Sequence, residues 1–262
     1  MKLLLKPFRI IYCIYAFLVF VALMLVIFPF VLTASFFGRI RGGNAIYRLC
    51  MLWGDCWFPL VGIMHKNIHE TQESRDKQFI YVANHISYLD APVIVKTLRT
   101  PIRPLGKAEM SKIPVFGYIY KNAVVQVDRS NAEARAKSVR QMKAVLRRNI
   151  SIFIFPEGTF NTTGKPLKEF YDGAFRIAIE TQTPIRPVLF LNAYDRMHYR
   201  SIFTLNPGRS RSVFLEPVPV QGLTMRDVPA LKQQVSELME RKLIEYGASW
   251  IKAPVVMKSV SQ

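Results

Sequence analysis

An α/β domain joined to an N-terminal apolar helical segment is the fold class this sequence predicts, and three observations predict it. Residues 10–38 contain no charged side chain. Beyond residue 64, apolar runs of strand length alternate with stretches of helical periodicity, the pattern of an α/β domain. The residue groups with chemical potential stand where those apolar runs end, which is where open α/β sheets place their sites. A chain of 262 residues, half of them hydrophobic, supports one sizeable core with an appendage and excludes a chain disordered throughout. With no internal repeat or second-domain linker, the chain divides into an apolar anchor over 1–64, a catalytic domain over 65–247 and a tail over 248–262.

The uncharged run is 29 positions long. As a helix it extends roughly 43 Å, against about 30 Å for a bilayer core, and a signal peptide's apolar region is far shorter. Pro29 interrupts it, and a second apolar stretch, 49–64, follows Arg39, Arg41 and Arg48 with only Asp55 charged. Two membrane-embedded helices are therefore expected, as a span or a re-entrant hairpin. Lys2, Lys6 and Arg9 on one side balance Arg39, Arg41 and Arg48 on the other and set no orientation. The 36 Lys and Arg against 18 Asp and Glu give a net charge of +18, a field that attracts anionic membrane lipid, acidic carriers or nucleic acid. No nucleic-acid motif accompanies it. Cys13, Cys50 and Cys56 lie in the apolar stretches without C-x-x-C spacing and read as small buried hydrophobes. His65 and His69 have a helical metal-ligand spacing, but 62–69 suits an extended segment and no further ligand cluster accompanies the pair, so no metal is implied.

Residues 79–83 read as a strand delivering Asn84 and His85. On a helix, His85 and Asp90 would lie about 140° apart around the axis, so they meet only across a turn. Pro92 supports one, since proline is tolerated only in a helix's first turn and so places a helix start near Asp90. Asp90 is then able to accept the Nδ1–H of His85, leaving Nε2 as a base. The competing reading makes Ser87-x-x-Asp90 a capping box and His85 an ordinary loop histidine. Residues 123–127 form a second strand, and Ser130-x-x-Glu133 then caps a basic helix ending near Asn149, with Ala132, Ala136, Val139, Met142 and Val145 or Leu146 as its core stripe. Its other face, Arg135, Lys137, Arg140, Lys143, Arg147 and Arg148, is a solvated surface or a contact for anionic lipid or carrier. A buried strand over 151–155 ends at Pro156-Glu157-Gly158. Gly158 permits positive φ, Thr159 offers a hydroxyl, and Glu157 either binds acceptor hydroxyls or orients backbone groups. Strands over 185–191 and 213–215 follow, then a helix over 225–246 with Thr224-x-x-Asp227 as its cap and Leu231, Val235, Leu238, Lys242 and Tyr246 in register. The tail, with Trp250, Ile251 and Pro254, is read as disordered or touching the membrane.

Four blocks, in order, resemble the glycerolipid acyltransferase family of 1-acyl-glycerol-3-phosphate acyltransferases over roughly 60–220. They are Asn84-His85 through Asp90; Lys107-Ala108-Glu109 through Pro114-Val115-Phe116-Gly117 to Val127-Asp128-Arg129; Phe155-Pro156-Glu157-Gly158-Thr159; and Pro184-Ile185-Arg186-Pro187-Val188. The resemblance implies an α/β fold whose blocks line one groove for an acyl thioester and a lysolipid. It implies His85 and Asp90 as catalytic residues, and Asn84, Lys107, Arg129, Glu157, Gly158 and Thr159 as substrate-binding residues. The chain departs from the family at two points. Phe160 stands where many members carry arginine, and Phe170-Tyr171-Asp172-Gly173 lacks the lysine of the Phe-Lys-x-Gly run. Two cations that would pair with an acceptor phosphate are missing, and Asp172 adds repulsion if it faces the site. Lys107 and Arg129 remain at matching positions, and Lys165, Lys168 and Arg176 are the available substitutes.

The mechanism that follows is direct transfer. His85 removes a proton from a lysolipid hydroxyl, which attacks the carbonyl of acyl-CoA or acyl carrier protein, while backbone N–H groups stabilise the oxyanion. It requires no metal, cofactor or covalent intermediate. The expected enzyme is a membrane protein with its catalytic domain on the cytoplasmic face of the inner or cell membrane, converting 1-acyl-glycerol-3-phosphate to phosphatidic acid. A lyso-amino-lipid is the alternative acceptor, and a non-catalytic basic membrane tether is the alternative of another class.

Overall fold

The computed structural model describes residues 5–71, 77–128 and 131–252. Helix α1 (Leu5–Ser35) runs through a short π-helical turn (Gly38–Gly42) into α2 (Gly43–Leu60), and β1 (Ile63–His69) and β2 (Ile80–Ala83) follow. The chain continues through α3 (Asp90–Thr97), β3 (Arg103–Lys107), α4 (Phe116–Ala123), β4 (Val125–Val127), α5 (Ala132–Leu146), β5 (Ile152–Ile154), α6 (Gly173–Thr181) and β6 (Ile185–Phe190). The short α7 (Ala193–Arg196), β7 (Gly208–Phe214) and α8 (Val228–Glu245) complete it. The α/β class is as the alternating pattern predicts.

The seven strands form one sheet in the order β1-β7-β6-β2-β5-β3-β4, parallel throughout except where β6 meets β7. Every residue of β2, β5 and β6 is buried, as expected of strands covered on both faces by helices. Within β6, Arg186 is 1% exposed and its guanidinium lies over the rings of Phe79 and Phe214, at 5.4 and 5.2 Å. The fourth family block is therefore core, not groove wall. His65 and His69 lie on β1, where residues four apart are separated by roughly 13 Å. Both ring nitrogens of His65 are engaged, by Ser210 and Asn67, and burial pushes its pKa down to about 4.

The second apolar stretch has a different fate from the first. Residues 49–60 lie in α2, whose Tyr47, Trp53, Trp57 and Phe58 are buried in the main core and whose Ile46 packs in a smaller cluster with α1 and α4, and Met64 already belongs to β1. Trp53 and Trp57 stack at 5.4 Å and donate their indole N–H groups to the α1 carbonyls of Phe20 and Ala16. Asp55 pairs with Lys96 and Arg99 at the α3 end. At the far end of α1, the buried Arg103 donates to the carbonyls of Arg39 and Ile40 and to Asn44 Oδ1, tying the π turn to β3.

Two helices, α5 and α8, differ from expectation in register. In α5 the buried positions are Ser138, Met142 and Leu146, while Ala132 and Ala136 are exposed. Its N-cap is Asn131, whose side chain accepts from the Ala134 amide; Ser130 lies outside the described residues. The Thr224/Asp227 capping box forms, but the buried stripe of α8 is Val228, Leu231, Val235, Met239 and Leu243. The start of the tail is packed, since Trp250 is buried and donates to the Pro166 carbonyl, and the Lys252 amide donates to Gly164. Pro254 lies outside the described residues. Cys13 is buried, whereas Cys50 and Cys56 are half-buried.

Among the described helices α1 alone is long and apolar enough to cross a membrane. Phe8, Ile11, Phe17, Leu18, Val26 and Phe30 are all more than 60% exposed along it, a contiguous apolar surface that water does not favour. The full-length chain is expected to stay with membranes through high-salt and alkaline washes and to need detergent for release. Recovery in the salt wash would reduce the attachment to electrostatic adsorption.

Candidate active site

The site begins where β2 ends. Asn84 is buried and its carboxamide continues the sheet: Nδ2 donates to the Phe190 carbonyl at 3.0 Å and Oδ1 accepts from the Phe190 amide at 2.8 Å. Both of its functions are spent on β6, so its place is to aim the next residue. His85 leaves the sheet with its main chain held on both sides, its N–H donating to Glu157 Oε1 and its carbonyl accepting from the Asn161 amide, each at 2.7 Å.

The imidazole is held as firmly. Nδ1 lies 2.8 Å from Asp90 Oδ2, which also accepts from the amides of Ile86 and Ser87 at 2.7 and 2.8 Å. Asp90 is fully buried and is the first residue of α3, where the helix dipole favours a carboxylate. The turn that brings histidine and aspartate together is thus closed by the aspartate itself. The Ser87 amide bond to Asp90 is half of the capping arrangement, while the Ser87 hydroxyl accepts from Leu89 and donates to the Met197 carbonyl. One carboxylate therefore closes the turn and orients the ring, whereas the full Ser87-x-x-Asp90 capping box does not form, because the Asp90 amide donates to the Ser87 carbonyl and not to its hydroxyl. The ring stacks on Phe155 at 4.0 Å and meets the edge of Phe160 at 4.5 Å, with Tyr88 against Phe160 at 4.9 Å. With Nδ1–H given to Asp90, Nε2 is the acceptor, and no described residue bonds to it. About a fifth of the side chain, 21%, faces solvent. A neutral imidazole so placed is able to take a proton from a hydroxyl docked against it.

Glu157 answers the question left open by its sequence. It is 0% exposed, Oε1 accepts from the His85 amide, and Oε2 accepts from the Lys168 amide at 2.8 Å. Its two oxygens are thereby engaged with backbone, the orienting role. Burial pushes its carboxyl up to about 8, against the pull of those two amides. Gly158 adopts φ +71°, the left-handed conformation that lets the chain turn sharply after β5. Thr159 is exposed and its hydroxyl accepts from Lys168 Nζ at 2.8 Å. Lys107 is exposed at the end of β3, and Arg129 lies outside the described residues. Asp172 pairs with Lys232 of α8 at 2.7 Å, so its charge is committed there. Phe155, Phe160 and Asn161 are contacts of the histidine that sequence reasoning missed. They come from a loop some seventy positions away, and only the recurrence of aromatic residues around Pro156-Glu157 hinted at them.

A model of the acyltransferase family matches residues 65–191. The chain is 34% identical over 171 residues to the 1-acyl-sn-glycerol-3-phosphate acyltransferase of Salmonella typhimurium, covering 63% of this chain and 67% of that one. It is 30% identical over 177 residues to an uncharacterized acyltransferase of Schizosaccharomyces pombe, covering 65% of this chain and 62%, less than two thirds, of that relative. The crystal structure of the 1-acyl-sn-glycerophosphate acyltransferase PlsC from Thermotoga maritima matches it with a TM-score of 0.71 at 27% identity, over 93% of this chain and 100% of that one.

A carboxyl raised from 4.5 to about 8 binds its proton more tightly in the folded chain than in the unfolded one. Its stabilising contribution is full below the unfolded value and is lost as pH rises through the folded one. Glu157→Gln titrates nothing there. The melting temperature of the parent relative to Glu157→Gln is expected to fall between about pH 5 and pH 8, as followed by circular dichroism. A difference that stays flat across that window would show that burial does not govern this carboxyl.

Proposed function

The chain belongs to the acyltransferase family, and from that premise we propose that it transfers an acyl chain from acyl-CoA or acyl carrier protein to the free hydroxyl of 1-acyl-glycerol-3-phosphate, giving phosphatidic acid. The observation that carries this reading is the His85–Asp90 pair, 2.8 Å apart, with Nε2 directed away from its carboxylate partner. Two relatives named above act on the same lysolipid class by their names, which supports the acceptor.

In the proposed sequence His85 Nε2 takes the proton of the acceptor hydroxyl as its oxygen attacks the thioester carbonyl carbon. Asp90 stabilises the imidazolium that forms. Backbone N–H groups hold the tetrahedral oxyanion. Collapse breaks the carbon–sulfur bond, and the departing thiolate takes the proton back from the imidazolium. The new ester leaves with the lipid, and no atom of the protein is acylated. Phe155 and Phe160 shield the imidazole from water on two sides, which strengthens its electrostatic coupling to Asp90. In this reading Glu157 and Asn161 set the position of the His85 main chain, and the anchor delivers the site to a membrane where the acceptor resides, with the catalytic domain on the cytoplasmic face.

Phe160 beside the base favours a second acceptor, a lyso-amino-lipid, because an aromatic ring stands where many relatives place a cation. Asp172 does not add to that case, since it is paired with Lys232. The tether alternative leaves a desolvated carboxylate devoted to orienting one imidazole without a purpose.

The test is incubation of the purified, detergent-solubilised protein with a panel of lysolipids and both donor types, with products identified by mass. Phosphatidic acid is the expected main product. General-base catalysis typically contributes about 10² to 10⁴ in rate, so His85→Ala is expected to retain at most about one percent of turnover. A folded His85→Ala variant with substantial activity would leave the mechanism without its base.

A further inference from the structure

We propose that Lys168, held at the hydroxyl of Thr159, is the cation that binds the acceptor's phosphate in this chain. The inference rests on the reading of the acceptor as a lysophosphatidate and names the residue that selects it.

Position 168 is coupled to the base through a single group. Glu157 accepts the His85 amide with one oxygen and the Lys168 amide with the other, so the two main chains lie on either side of one carboxylate. That carboxylate also feels the positive charge of Lys168, which lowers its pKa against burial. The side chain then returns toward the same loop. Its ammonium donates to Thr159 Oγ1 at 2.8 Å, and Thr159 immediately precedes Phe160, whose ring touches the imidazole. Thr159, which holds the cation, and Phe160, which touches the base, are thus neighbours in one turn.

The donor inventory specifies the ligand. An ammonium has three N–H donors, and one is engaged with Thr159. The Thr159 oxygen accepts that bond, which leaves its own hydrogen free to donate. What this pair offers outward consists of N–H and O–H donors around a positive charge, a match for the acceptor oxygens of a phosphate and a mismatch for an amine headgroup. Among the described residues Lys168 enters no ion pair, whereas Asp172 is taken by Lys232 and Lys143 by Glu180. The nearby cations Lys165 and Arg176 are exposed and make no such side-chain bond, while Lys168 is half-buried and held at Thr159. The loop that carries it is fixed from outside, by Asn161 Nδ2 donating to the Lys165 carbonyl and by Trp250 donating to Pro166. In a lysophosphatidate the reacting hydroxyl and the phosphate sit on adjacent glycerol carbons, so the groups that hold them must belong to adjoining parts of one site. The cations missing at Phe160 and Tyr171 are thereby replaced from a position outside the family blocks.

The experiment compares steady-state kinetics of the full-length parent, Lys168→Met and Lys168→Arg with lysophosphatidate as acceptor. The Lys168 amide bond to Glu157 is main chain and survives both substitutions. Loss of a charge-assisted hydrogen bond corresponds to roughly ten- to hundredfold in affinity. Lys168→Met is therefore expected to raise the KM for lysophosphatidate by about that factor, with kcat and the donor's KM little changed, and Lys168→Arg is expected to stay near the parent. An unchanged KM in Lys168→Met overturns the assignment alone. So does a loss of kcat and donor affinity together, which would mean that the side chain only supports the loop. A parent that acylates an amine-bearing or uncharged lysolipid but not lysophosphatidate overturns both the assignment and the acceptor on which it rests.

Discussion

Three N–H groups converge on one oxygen of Asp90, and the rest of the site depends on that convergence. The imidazole of His85 and the amides of Ile86 and Ser87 all donate to Oδ2 within 2.8 Å. A carboxylate removed from water is costly unless it is hydrogen-bonded, so the turn wraps its amides around Oδ2, while Oδ1 has no partner among the described residues. The same bonds fix the imidazole tautomer. From that follow the exposed Nε2, the stacking on Phe155, and a main chain at residue 85 that Glu157 and Asn161 clamp from the opposite loop. Burial has thereby been used twice, since Asp90 through one oxygen and Glu157 through both collect backbone amides around one histidine.

That convergence was legible in the sequence because it is local. A five-residue separation, a proline two positions into the following helix and an apolar strand before it suffice to place His85 in a turn with Asp90 at its end. The central strands were legible for a related reason: strands buried on both faces are written as unbroken apolar runs. What escaped was non-local. Nothing in the spacing of Phe160, Asn161 or Lys168 tells that their loop closes over residue 85, because a loop's path is set by the elements at its two ends. β3 escaped because Pro104 and Gly106 break the strand pattern within it, and its pairing with β4 and β5 supplies what its sequence lacks. In α5 the alanines of the expected stripe face solvent, and Ser138 is buried in their place. Small residues carry little information about which side of a helix is inside.

The N-terminal helices show how composition alone misleads and how periodicity corrects it. Both stretches are apolar, but α2 places its tryptophans and Phe58 against α1 and the sheet and gives Asp55 to Lys96 and Arg99. The residues around α1 are apolar on every side, and most of that surface has no protein partner. The seam between α1 and α2 is closed by indole N–H donors on α1 carbonyls, and Arg103 closes the turn beyond it. An apolar helix is in this way fastened rigidly to the sheet whose strand ends carry the site.

The central claim, that His85 and Asp90 act as one unit, is tested most directly by a double-mutant cycle on turnover. His85→Ala, Asp90→Asn and the double variant would be measured beside the parent under saturating donor and acceptor, on proteins with matching circular dichroism. Residues that work as a unit are strongly non-additive. The double variant is expected to be no slower than His85→Ala, within about twofold. Losses that multiply, so that removing Asp90 slows the enzyme equally with or without the histidine, would contradict the account.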